Sequence, residues 1–102
     1  MRYVYYVDGE KYTTDNYYEI NFYGISSFDE NTPAFEDLST GEKGWCKKGY
    51  IIHRLTGPAR ILSDDIEYFY LNNKRYKKVN EWLNHHPNQD NSFQVEMLLK
   101  YS

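Results

Sequence analysis

The sequence predicts an α+β domain: a tyrosine-rich antiparallel β-hairpin meander with short C-terminal helices. Three observations carry that expectation. Tyrosine supplies 12 of the 102 residues, and its ring suits half-buried strands because it packs while the hydroxyl stays wet. Turn-forming pairs, above all Asp8-Gly9 and Asn72-Asn73, interrupt runs of β-formers. Near the end, apolar residues switch to helical spacing between Val79 and Tyr101.

The elements follow in order. Tyr3 to Val7 ends at Asp8-Gly9, a two-residue hairpin turn that needs φ above zero at both positions, so residues 3–13 form a hairpin. Thr14 or Asp15 can cap a helix, and a helix is expected over 14–23. Tyr18, Ile20 and Phe22 also alternate as in a strand. Residues 24–44, broken by Gly24, Pro33, Gly41 and Gly44, read as one long loop. A β-meander is expected over 45–76. Trp45 to Lys47 turns through Lys48-Gly49 into Tyr50 to His53. Gly57-Pro58 breaks the chain, because proline fixes its own φ and pushes the preceding residue out of helix. Strands then run from Ala59 to Ser63, Ile66 to Leu71 and Lys74 to Tyr76. Helices are expected at 79–86, ended by Pro87, and at 92–101, where Asn91 and Gln94 make a capping-box pattern. The second helix should bury Phe93, Met97 and Leu98 or Leu99.

Length makes this a single domain, 1–102. A chain of this size buries roughly 65% of its unfolded surface, enough for one modest core. The lone Cys46 cannot form an internal disulfide, which fits a reducing compartment. Met1 to Tyr6 lacks the apolar run of a signal peptide, and no stretch approaches the ~20 apolar residues of a membrane span. A cytoplasmic location with no membrane partner is expected.

The net charge of −3 hides a segregation. Residues 1–40 carry −6, residues 41–78 carry +5 and residues 79–102 carry −2. Such a pattern can steer a charged partner, favour a head-to-tail homo-oligomer, or simply keep the chain soluble. The overall negative charge argues against broad nucleic-acid binding.

Tyr6-Val7-Asp8-Gly9-Glu10-Lys11-Tyr12 aligns with Tyr70-Leu71-Asn72-Asn73-Lys74-Arg75-Tyr76. Each copy precedes a polar stretch and a candidate helix, so one hairpin unit is repeated. Between them, the stretch from Trp45 through Gly49 to His53-Arg54-Leu55-Thr56-Gly57-Pro58-Ala59 resembles a known repeat. This is the Trp…Gly…His-Arg-x-x-Gly-Pro-Ala hairpin, a variant related to MORN repeats, found in small proteins of bacteriophages and giant viruses. The similarity extends over about residues 45–86, with one full copy present. It implies a β-rich interaction scaffold of phage type, a class whose members often act on host proteins, including components of antiviral defence.

Several residues invite a chemical reading. His53 and Arg54 can serve the turn, or Arg54 with Arg60 or Lys47 can meet a phosphate or a partner's acid. With Lys48-Gly49 as a two-residue turn, Cys46 and His53 fall on one face as diagonal neighbours roughly 7–8 Å apart. Lys47 and Lys48 would then favour a thiolate. A buried, inert cysteine is the alternative. His85 and His86 are adjacent on a helix and point apart, against the i, i+3 or i+4 spacing of zinc sites. The basic segment with Trp45, Tyr50, Tyr68, Tyr70 and Tyr76 can stack rings and hold anions, or form the core face of the sheet.

The reading is a non-enzymatic protein without catalytic site, metal or cofactor, which binds and inhibits a host protein. Its surface is expected at Trp45, Tyr50, His53, Arg54, Arg60, Tyr68 and Tyr70. The alternative is capture of a small anionic ligand such as a nucleotide by the same segment. A cysteine-dependent enzyme is the remote third reading.

Overall fold

In the computed structural model, which describes residues 1–102, Asp8-Gly9 and Asn72-Asn73 both occupy the left-handed region, with φ of 52° and 82° and of 48° and 72°. Both are the two-residue turns their sequences call for. In chain order the elements are β1 (Tyr3–Val7), β2 (Glu10–Thr14), a 3-10 turn (Tyr17–Glu19), β3 (Phe35–Asp37), β4 (Glu42–Gly44), β5 (Cys46–Lys47), β6 (Ile51–Ile52), β7 (Arg60–Ile61), β8 (Glu67–Leu71), β9 (Lys74–Tyr76), α1 (Val79–Asn84) and α2 (Asn91–Tyr101). Seven strands form one antiparallel sheet in the order β2-β1-β3-β4-β7-β8-β9, and β5 and β6 form a separate small hairpin. The two copies of the repeated hairpin therefore stand at opposite edges of the sheet.

Residues 24–44 are the largest correction. They contain β3 and β4, which lie in the middle of the sheet rather than in a loop. Apart from Phe35, the residues of Phe35-Glu36-Asp37 and Glu42-Lys43-Gly44 have little intrinsic strand preference. Pairing on both sides decides their conformation. Asp37 builds the connection: its backbone oxygen accepts from Gly41 N–H at 2.8 Å and its side chain from Ser39 N–H at 3.0 Å.

Residues 14–23 also differ from expectation, holding only one 3-10 turn. Asn16 and Asn21 accept side-chain hydrogen bonds from Tyr18 and Tyr23 N–H, at 3.0 and 3.1 Å. These local bonds compete with helix formation.

Register assigns the faces. Tyr12, Tyr5, Phe35, Gly44, Arg60 and Tyr68 are successive cross-strand partners through six strands. They share one face, here the front. Phe69, Leu71 and Tyr76 have the opposite parity and face the back.

Two cores result. On the back, Phe69, Leu71 and Tyr76 pack with Val79, Trp82, Leu83 and Met97. Val79, Trp82 and Leu83 reach the sheet from one helical face, as their spacing predicts. Both helices shift slightly from expectation. α1 ends at Asn84, and α2 is capped by Asp90, whose side chain accepts from Ser92 N–H at 2.9 Å. Gln94 makes no capping box; its amide donates to the Leu83 and Asn88 carbonyls. Met97 is buried, Phe93 and Tyr101 are partly buried, and Leu99 points to solvent. On the front, Tyr3, Ile20, Ile25, Ala34 and Cys46 form the second core, with Tyr5, Val7, Phe22 and Phe35 at its margin.

No helix is long and apolar enough to cross a membrane.

Candidate binding site

The β5–β6 hairpin differs from its expected register by one residue. Cys46 pairs with Ile52 and Lys47 with Ile51, which makes the loop Lys48-Gly49-Tyr50. Gly49 and Tyr50 both take positive φ, 87° and 59°. For a residue as bulky as tyrosine this is uncommon. Contacts with Phe22 and Tyr23, at ring-centroid distances of 5.5 and 6.2 Å, hold it there.

One residue of slip reverses every side chain. Cys46 and His53 consequently lie on opposite faces, and the expected thiol–imidazole pair does not form. The Cys46 sulfur approaches the Ile25 carbonyl at 3.7 Å. Burial pushes its pKa up to about 11, so Lys47 and Lys48 do not produce a thiolate. His53 Nδ1 accepts from Asn72 N–H at 3.0 Å. Burial and then Lys47 lower the His53 pKa. Asn73 bonds Ile52 twice and Lys47 reaches Asn72, so this histidine helps dock the β8–β9 turn on the small hairpin.

Arg54 is also engaged inside the fold. Its guanidinium lies 3.9 Å over the Trp45 ring and donates to the Glu30 and Pro58 carbonyls, at 2.8 and 3.1 Å. Glu30 returns the contact: one carboxylate oxygen accepts from Leu55 N–H, Thr56 N–H and the Thr56 hydroxyl. Gly57 completes this knot. A Cβ there would lie 2.5 Å from the Tyr101 hydroxyl and 3.0 Å from Arg54, so a side chain at 57 would have to displace the ends of both. The Gly57-Pro58-Ala59 motif is wholly buried and forms no strand of its own before Arg60.

The front face opens beside this knot into a cavity of about 130 Å³. Its floor is Gly44, which stands between Phe35 and Arg60 in the cross-strand row and leaves a gap where its neighbours carry large side chains. A Cβ built on Gly44 meets nothing within 4 Å. One wall is a cluster of Tyr3, Tyr17, Phe22 and Phe35, whose neighbouring rings stand 5.3–6.3 Å apart. Ile25, Cys46 and Ile52 line the cavity with Trp45 and Tyr50.

Its charged lining residues are Asp37, Glu42, Lys43 and Arg60, and Lys43 stands 3.9 Å from Glu36. Arg2 donates to both oxygens of Asp37, at 3.2 and 3.1 Å, and holds that carboxyl down at about 2. Arg60 donates once to Glu42, at 3.3 Å. Trp45 is 4% exposed and its indole N–H has no acceptor in the protein.

Of the seven residues expected on the surface, the fold brings Trp45, Tyr50 and Arg60 to this cavity. Tyr68 lies beside Arg60 in the same row, with the Arg75 guanidinium 4.9 Å over its ring. Tyr70 follows on the same face, opposite Arg75. His53 docks the β8–β9 turn and Arg54 serves the knot. Sequence reasoning missed Gly44 and the ring wall. A glycine beside charged strand residues was the available signal, since strand glycines mark close approach by a ligand.

His85 and His86 point apart as their adjacency requires. His85 stacks on Tyr76 at 5.2 Å, while His86 donates from Nε2 to the Leu55 carbonyl and accepts at Nδ1 from Asn88 N–H.

No protein-family model matches the chain, and no curated protein or solved structure matches it.

Proposed function

We propose that this chain is a non-enzymatic, phage-type binding module that engages and inhibits a host protein, such as a component of antiviral defence, in the host cytoplasm. The observation that carries the reading is the open pocket over Gly44. It combines an aromatic wall and an arginine with spare donors on one face, and the buried Trp45 is among its lining residues. Tryptophan, tyrosine and arginine around a desolvated pocket are the residues that dominate protein–protein binding energy. Tyr68, Tyr70 and Arg75 extend the surface along the same face. The viral and host-directed part of the reading rests on the Trp…His-Arg-x-x-Gly-Pro-Ala resemblance.

Gly44→Leu tests it. The new side chain enters empty space and needs no unusual backbone, so the fold persists while the pocket fills. Native mass spectrometry should find a host protein at fixed stoichiometry on the wild-type chain and none on Gly44→Leu. Equal retention by both would remove the pocket from the interface.

A second reading has its own support, because Arg60 stands beside an aromatic wall. A small planar anionic ligand such as a nucleotide would place its base in the cavity. It would raise the melting temperature of the wild-type chain by mass action and leave Gly44→Leu unchanged. A head-to-tail homo-oligomer is compatible with either reading, since Lys74, Arg75, Lys77 and Lys78 gather at the β9 edge, away from Asp8 and Glu10 at the β2 edge.

A further inference from the structure

The pocket over Gly44 has a definite chemical preference. At about 130 Å³ it approaches the ~150 Å³ apolar cavity that takes up benzene in another protein. One ring therefore fills it. Its polar groups are unevenly engaged. Asp37 has both oxygens on Arg2 and a further bond from Ser39 N–H. Glu42 already accepts from Arg60. On the donor side, Arg60 uses a single N–H on Glu42, leaving the rest of its five-donor fork. The Trp45 indole N–H is buried without an acceptor and is closed off from the cavity, so Arg60 is the donor a ligand meets.

We propose that this pocket binds a single aromatic ring bearing a carboxylate. The ring lies against Phe22 and Phe35 over Gly44, and the carboxylate takes N–H donors from Arg60. The ring and acid come either as a free aromatic acid or as the C-terminal aromatic residue of a peptide. The inference rests on the pocket being the binding surface proposed above.

Phenylacetate is the direct probe, with benzylamine (same ring, opposite charge) and acetate (no ring) as controls. The readout is the pair of indole N–H resonances in a ¹H–¹⁵N correlation spectrum of the full chain. Trp45→Phe identifies the Trp45 signal, and Trp82→Phe identifies it by elimination if the first variant does not fold. Phenylacetate should shift that signal with a Kd on the order of 1 mM, as a ligand of this size allows. Benzylamine and acetate should leave it in place. Gly44→Val should abolish the shift, and Arg60→Met should weaken binding roughly tenfold or more.

A short peptide ending in phenylalanine, compared with its C-terminal amide, separates the two sources. Tighter binding of the free-acid peptide than of phenylacetate assigns a chain terminus, and equal or weaker binding assigns a small acid. No shift with phenylacetate, an equal shift with benzylamine, or a shift that survives Gly44→Val would overturn the proposal. If phenylacetate fails while Gly44→Leu still loses a host protein, the binding-module reading stands and only the ring-and-carboxylate preference falls.

Discussion

The two cores of this sheet are closed by different means. On the back, α1 and α2 lay rows of side chains at helical spacing on β8 and β9, and Trp82 and Leu83 are wholly buried there. On the front, the cover is residues 17–25, with one 3-10 turn between two asparagine-capped bends. That cover is tied down by isolated backbone bonds, including Gly49 N–H to the Tyr23 carbonyl and Ser27 N–H to the Cys46 carbonyl. A helix fills a groove because its side chains arrive at regular intervals. An irregular segment delivers single rings and leaves space between them. The back core therefore holds the fold, and the front core, left unfilled over Gly44, is free to bind.

The largest expected effect tests that division. Trp82→Ala removes a side chain that is fully enclosed against Phe69 and His86, and should cost about 3–5 kcal/mol. For a domain whose whole stability is about 5–15 kcal/mol, this leaves little. Phe22→Ala truncates a ring that is only partly buried, and should cost about 1–2 kcal/mol. Urea denaturation of both variants measures the contrast. Equal losses would mean that the front core bears the fold as much as the back does.

The same contrast explains what was legible in the sequence. The outer hairpins are local objects: Asp8-Gly9 and Asn72-Asn73 specify their own turns, and the flanking tyrosines specify strands. α1 was equally readable from Val79, Trp82 and Leu83. The middle of the sheet was hidden, because Glu36, Asp37, Glu42, Lys43 and Gly44 become strand only through partners on either side. The β5–β6 register was hidden because Tyr50 adopts a conformation that its residue type disfavours. Trp45, Tyr50 and Arg60 could be picked by residue type. Tyr3, Phe22, Phe35 and Gly44 could not, since the pocket assembles from strands and segments far apart in sequence.

Glu30 tests the hidden middle at intermediate size. It lies in the stretch that reads as loop, yet one of its oxygens meets three donors from Leu55 and Thr56. Glu30→Ala leaves two backbone N–H groups without their acceptor and should cost about 2–3 kcal/mol. Glu30→Gln keeps an acceptor oxygen and should cost less than half as much. Thermal unfolding of the two variants decides between a specific acceptor and a merely acidic loop: equal losses would favour charge over geometry.

The smallest effect concerns the Arg2–Asp37 pair at the margin of the pocket. Arg2 holds the Asp37 carboxyl at about 2 in the folded chain, against an ordinary value of 3.8. A depressed folded pKa means that the unfolded chain binds the proton first as pH falls. The pair's stabilisation is therefore complete above about pH 4 and disappears as pH drops through 3.8 toward about 2. The Asp90 cap of α2 is depressed in the same direction by Ser92, so the wild-type curve alone does not isolate Asp37. The difference between the wild-type chain and Arg2→Met does, because Asp90 is common to both. Arg2→Met should melt lower at pH 6, and the two melting temperatures should converge between pH 4 and pH 2. A constant gap across that range would show that Arg2 stabilises the front core by packing on Tyr3, 5.0 Å away, rather than through its carboxylate partner.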